Sequence, residues 1–140
     1  MTAIIALSAT MRDDSNIGTV VAWDSPATVE AFVRSPANHM LLQDAARMWR
    51  DDRRVRVLDV GCGAGRNAVP LARRGCLVIG TDSSQPILQA AAALDADDQL
   101  RLVEAPMDAL PLGSRNSDLI VAYCVWNLAT SGAEFRRART

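Results

Sequence analysis

The run Val57-Leu58-Asp59-Val60 passes directly into Gly61-Cys62-Gly63-Ala64-Gly65, and a helix-forming segment, Ala68 to Arg74, follows. An apolar strand that must turn at once into a helix has few backbone routes open to it. Glycine at every second position supplies the conformations such a turn needs and brings backbone N–H groups close to a ligand at the helix N-terminus. One residue separates each pair of glycines. The dinucleotide fingerprint places two residues before its last glycine, so this loop is of a different kind.

From Val55 onward the pattern alternates between strand and helix. The expected strands are Val55–Val60, Cys76–Thr81, Leu100–Ala105 and Leu119–Cys124; the expected helices between them are Asn67–Arg74 and Gln85–Leu94. Gly75 stands where a helix C-terminal glycine belongs. Strands rich in Val, Ile and Leu, separated by helices, predict an α/β fold: a doubly wound, Rossmann-like, mostly parallel sheet with helices on both faces. Two helices precede it, Pro26–Arg34 and Pro36–Trp49, each read as a serine N-cap (Ser25, Ser35) followed by proline. Residues 1–24 read as an N-terminal extension whose first ten residues are dispensable. Residues 25–140 read as one partial domain, with helices over 25–54 and the sheet core over 55–140.

Composition narrows the function. With 49% hydrophobic and 22% charged residues the chain reads as globular, and a net charge of −1 argues against broad attraction to nucleic acid or an anionic membrane. Cys62, Cys76 and Cys124 are widely spaced without a CxxC, which predicts neither a metal site nor a disulfide framework and suits a reducing cytoplasm. The apolar start, Ala3 to Ala9, is too short to span a bilayer and lacks a basic flank.

Asp59-x-Gly61-x-Gly63-x-Gly65 resembles the first motif of the class I S-adenosylmethionine-dependent methyltransferases, and three downstream segments resemble that family in order and spacing. The resemblance implies S-adenosyl-L-methionine as cofactor. Its contacts would fall on Asp59, Gly61, Cys62, Gly63, Gly65, Asp82, Ser83, Met107, Asp108 and Tyr123. Asp59 would meet the amino end of the methionine moiety; alternatively it accepts loop N–H bonds. Asp82 closes Val78-Ile79-Gly80-Thr81-Asp82 about 20 residues beyond the first glycine, where a ribose-binding acid is expected, though it could instead cap the next helix. In Met107-Asp108-Ala109-Leu110-Pro111-Leu112, Asp108 would accept the exocyclic amino group of adenine while Met107 packs on the base. The alternative is an aspartate capping a turn. Arg66-Asn67 resembles the tellurite-resistance branch of the family.

Asp118-Leu119-Ile120-Val121-Ala122-Tyr123-Cys124 resembles the family's fourth strand, whose end faces the transferred methyl group, so Tyr123, Trp126 and Asn127 would line the reaction side. Ala122-Tyr123-Cys124-Val125 lacks the acid or asparagine, prolines and aromatic of the amino-methylating nucleic-acid enzymes, which counts against methylation of DNA bases; the acceptor is expected to be a small molecule. His39, the single histidine, Tyr123 and Asn127 are the candidate catalytic residues. Arg136, Arg137 and Arg139 read as one face of a solvated helix. The likeness runs from Val55 to about Ala138, short of the family's fifth strand and antiparallel hairpin, so the chain reads as C-terminally truncated. A sheet order of 3-2-1-4 then leaves the fourth strand as an apolar edge needing self-association or a partner. The leading reading is a methyltransferase or its cofactor-binding portion. The alternatives are a non-catalytic cofactor-binding remnant or assembly module and, less favoured by the glycine spacing, a nicotinamide-dependent dehydrogenase domain.

Overall fold

The computed structural model describes residues 3–7, 22–48, 54–95, 99–113, 117–123, 125 and 132–138. Trp49, Cys124, Trp126, Asn127 and Arg139 lie outside these. Five strands form one sheet: β1 (Ala3–Leu7), β2 (Arg56–Val60), β3 (Leu77–Asp82), β4 (Leu100–Glu104) and β5 (Leu119–Tyr123), in the order β1-β5-β2-β3-β4. All four pairings are parallel. The expected order of the four strands after Val55 is therefore present, with helices α3 (Ala68–Arg73) and α4 (Gln85–Leu94) as crossovers.

The edge is where expectation and structure part. Residues 3–7 are not an extension outside the domain: they pair with β5 from Ala3 against Leu119 to Leu7 against Tyr123. An apolar strand such as Leu119-Ile120-Val121-Ala122-Tyr123 presents a row of N–H and C=O groups, and the short apolar run Ala3–Leu7 satisfies them. The β5 edge is thus covered by the chain itself rather than by a second molecule.

Strand β2 is buried at Val57, Leu58, Asp59 and Val60 in succession, as a central parallel strand covered on both faces should be. Alternate residues serve two cores. Val57, Val78, Leu119 and Val121 pack with Leu41 and Leu42 of α2 (His39–Met48), with Val69 and Leu71 of α3, and with Leu88 of α4. Leu58, Val60 and Ala122 pack with Val125, Ile79, Ile120, Met107, Leu110 and Leu112. On that second face the described members of the cluster come from the strands, from Val125 and from the coil from Met107 to Leu112. At the N-terminal end of the sheet, Arg56 Nε and Nη2 donate to Asp118 Oδ2 and Oδ1, each at 3.2 Å, which locks β2 beside β5.

Helix α1 (Pro26–Arg34) has the expected bounds, with Ser25 Oγ accepting the N–H of Thr28 at 3.2 Å. The second helix starts later than expected. Pro36 disfavours helical geometry at Ser35, so Ser35 closes α1 and its hydroxyl donates to the carbonyl of Ala31. The cap of α2 is Asn38, whose Oδ1 accepts from the N–H groups of Met40 and Leu41. Asn38 in turn donates its N–H to Oδ1 of the buried Asn67, tying the start of α2 to the start of α3. The last helix described is α5 (Gly132–Ala138).

Candidate functional site

The C-terminal ends of β2, β3 and β5 converge on the turn Gly61–Gly65, where ligands of open α/β sheets bind. Gly61, Gly63 and Gly65 all take left-handed φ, at 66°, 56° and 79°. The space each spares is taken by protein. A Cβ on Gly61 would meet Val125 Cγ2 at 2.5 Å, one on Gly63 would meet Phe32 Cδ1 at 2.8 Å, and one on Gly65 would meet Val69 Cγ2 at 2.8 Å. The glycines therefore shape the turn and admit its own neighbours. Phe32 brings α1 over the turn, braced edge-to-face by Trp23 with ring centroids 5.7 Å apart.

Asp59 is 2% exposed, and its Oδ2 has no hydrogen-bond partner among the described residues. Burial pushes its carboxyl up to about 7; Arg66 pulls it down and Asp82 pushes it up. A buried carboxyl with an unpartnered oxygen is costly to ionise, and a cationic ligand group would relieve that cost. Arg66 was not singled out as a site residue by sequence reasoning. Its guanidinium carbon lies 4.4 Å from the ring centroid of Tyr123. The signal was its place immediately after the last loop glycine, at a helix start.

Asp82 already serves as a structural acceptor through both oxygens: Oδ2 takes the N–H of Gly63 and Oδ1 that of Ser84, both at 3.0 Å. Each oxygen keeps a second lone pair for a further donor. Ser84 precedes α4 but does not cap it with its side chain, because its hydroxyl donates to Asp24 Oδ1 at 2.6 Å. Ser83 beside it is exposed. Cys62 donates its N–H to the carbonyl of Thr81, and its Sγ would meet a Cβ on Gly80 at 2.8 Å, so it packs as a small buried hydrophobe. Burial pushes its thiol up, and that of Cys76 up to about 11, as expected of thiols that pack inside the fold.

Beyond β4, Met107 joins the second apolar cluster, while Asp108 Oδ2 accepts from Arg137 Nε at 3.0 Å and Nη2 at 2.6 Å. Arg137 is thus not part of a purely solvated face. His39 is exposed at the start of α2 and no described contact joins it to the glycine turn. Of the catalytic candidates only Tyr123 is placed at the turn, and Asn127 falls outside the described residues. Among the described residues, no group of three His, Cys, Asp or Glu could hold a metal, and no helix is long and apolar enough to cross a membrane.

Residues 57–139, more than half of the chain, match the family described as methyltransferase domain. Over 43 residues the chain is 58% identical to the ubiquinone biosynthesis O-methyltransferase of Bradyrhizobium diazoefficiens, a match covering 31% of this chain and 17% of that protein. Over 68 residues it is 32% identical to the 23S rRNA (uracil(1939)-C(5))-methyltransferase of Azoarcus, covering 49% of this chain and 16% of the other. Among solved structures, SAM-bound CalS10, an amino pentose methyltransferase from Micromonospora echinaspora, superimposes with a TM-score of 0.63 at 27% identity, over 81% of this chain and 48% of that one. The chain thus spans about half of that structure and under a fifth of those two relatives.

Proposed function

The chain belongs to the class I S-adenosylmethionine-dependent methyltransferases, and we propose that it binds that cofactor at the Gly61–Gly65 turn for methyl transfer to a small-molecule acceptor. The observation that carries this reading is the open Oδ2 of Asp59. A buried carboxylate oxygen with no partner among the described residues, two positions before the glycine turn, matches the α-ammonium of a methionine moiety. Asp82, held rigid by the N–H groups of Gly63 and Ser84, offers its remaining lone pairs to ribose hydroxyls. Asp108 offers Oδ1, which accepts from none of the described residues, to the adenine amino group.

When bound, the cofactor supplies a sulfonium methyl for in-line displacement, and the protein's share is mainly positioning. Tyr123, the last residue of β5, would line the side from which an acceptor approaches, as the resemblance to the family's fourth strand implies. A small acceptor is favoured over RNA by the net charge of −1, which provides little attraction for a polyanion. The ubiquinone-biosynthesis and amino-pentose relatives point the same way.

The test is a thermal melt and calorimetric titration of the 140-residue chain with S-adenosylhomocysteine, with NADH as control. A ligand that binds only the folded state adds about 2.7 kcal/mol of stability at a hundredfold excess over its dissociation constant. Asp59→Asn is the decisive variant. It removes the charge at nearly constant volume, and no Oδ2 hydrogen bond among the described residues is lost with it. An upward shift with S-adenosylhomocysteine that shrinks in this variant supports the reading. No shift, or a preference for NADH, overturns it.

A further inference from the structure

We infer that Arg137 is a positioning residue for purine recognition: it fixes the Asp108 carboxylate so that one oxygen is reserved for a hydrogen-bond donor on the base. The inference rests on the cofactor reading above and extends it to a residue of α5. The two guanidinium bonds to Asp108, from Nε at 3.0 Å and Nη2 at 2.6 Å, end on the same atom, Oδ2. The fork of an arginine more often spans both oxygens of a carboxylate, as Arg56 does with Asp118. Here Oδ1 accepts nothing from the described residues.

The two side chains differ in exposure, 17% for Asp108 against 59% for Arg137, so the acid is the enclosed partner and the arginine reaches in from outside to hold it. Asp108 sits between Met107 and Leu110, both anchored in the apolar cluster on the second face of the sheet. Its backbone is thereby fixed, and Arg137 removes the remaining freedom of the carboxylate. A pre-oriented acceptor discriminates better than a mobile one, because a rotating carboxylate could turn to suit another base edge. An oxygen held as an acceptor selects a purine carrying an amino group at position 6 and opposes one carrying a carbonyl oxygen there.

The experiment measures the binding of S-adenosylhomocysteine and S-inosylhomocysteine to the 140-residue chain and its R137A, R137K, D108N and R137A/D108N variants. Melts recorded alongside establish that each variant is folded. The unsubstituted chain should favour the adenine compound by about tenfold or more, the scale of one hydrogen bond to a charged group. R137A should cut that preference to about threefold or less, R137K should restore part of it, and R137A should cost nothing further in the D108N background. A preference unchanged in R137A overturns the inference. So does tighter adenine binding in R137A, which would make Arg137 a competitor for Asp108. Should R137A not fold, R137K decides: an unaltered preference there also overturns the inference. If the unsubstituted chain binds neither compound, the cofactor reading itself falls.

Discussion

Arg66 lies over the ring of Tyr123 with its guanidinium carbon 4.4 Å from the centroid, and its charge also lowers the proton affinity of Asp59. The loop, β5 and the buried acid of β2 are therefore coupled through one cation. Replacing Arg66 by methionine should move the Asp59 midpoint above about 7. The pH at which S-adenosylhomocysteine affinity half-develops should rise with it, as read by calorimetry across pH 5.5–8.5. Tyr123→Phe keeps the ring face and should leave that midpoint in place. Tyr123→Leu should weaken the arrangement by about 0.5–2 kcal/mol, the range for a cation over an aromatic face. A midpoint unmoved by R66M would show that Arg66 does not act on Asp59.

Asp59 makes its own prediction for the ligand-free protein. Its folded pKa, about 7, lies above the ordinary value of 3.8, so the folded state holds a proton that the unfolded chain has released over that interval. Stability from this group is then greatest below about pH 4, falls as pH rises toward 7, and is level above it. The slope is at most about 1.4 kcal/mol per pH unit. Urea unfolding at pH 5 and pH 7.5 should show the decline, and Asp59→Asn should flatten it. The same decline in the variant would assign it to other groups.

Gly63 joins two constraints, a φ of 56° and the ring of Phe32 at 2.8 Å from where a Cβ would sit. Gly63→Ala should cost about 1–2 kcal/mol for the left-handed backbone. The overlap with Phe32 should add about 1–3 kcal/mol. Phe32→Ala relieves only the second, so Gly63→Ala should cost at least about 1 kcal/mol less in that background. Strict additivity in a double-mutant cycle would mean that α1 does not rest on the glycine turn.

The parts of this fold legible in the sequence are those set by local signals. The bounds of α1 and α4, the four strands after Val55 and the glycine turn follow from caps, prolines, apolar runs and backbone freedom within a few residues. The misread parts depend on partners far along the chain. Asn38 caps the second helix locally, but its bond to Asn67, 29 positions away, could not be read from the residues around it. Arg137 looked like a solvated helical charge, since nothing nearby in sequence shows that Asp108 lies beside it. Phe32 carries no mark of the glycine it covers. Asp59, Asp82 and Asp108 were recognisable as acids at strand ends. Which lone pairs they keep free is decided by N–H groups and cations brought in by the fold.

Strand β1 is the largest such case, and it is open to direct test. A five-residue apolar run reads equally well as a loose terminus or a strand, and only the unmet backbone of β5 decides between them. Deleting residues 1–8 exposes the full ladder from Leu119 to Tyr123. An unpaired apolar strand recruits other chains. The shortened protein should melt at a lower temperature than the 140-residue chain and should sediment as larger species in proportion to its concentration. Both effects should appear before any ligand is added, because β1 meets the sheet at β5 and not at the glycine turn. An unchanged melting point with a monomer at every concentration would mean that β5 tolerates a bare edge and that residues 3–7 contribute nothing to the sheet.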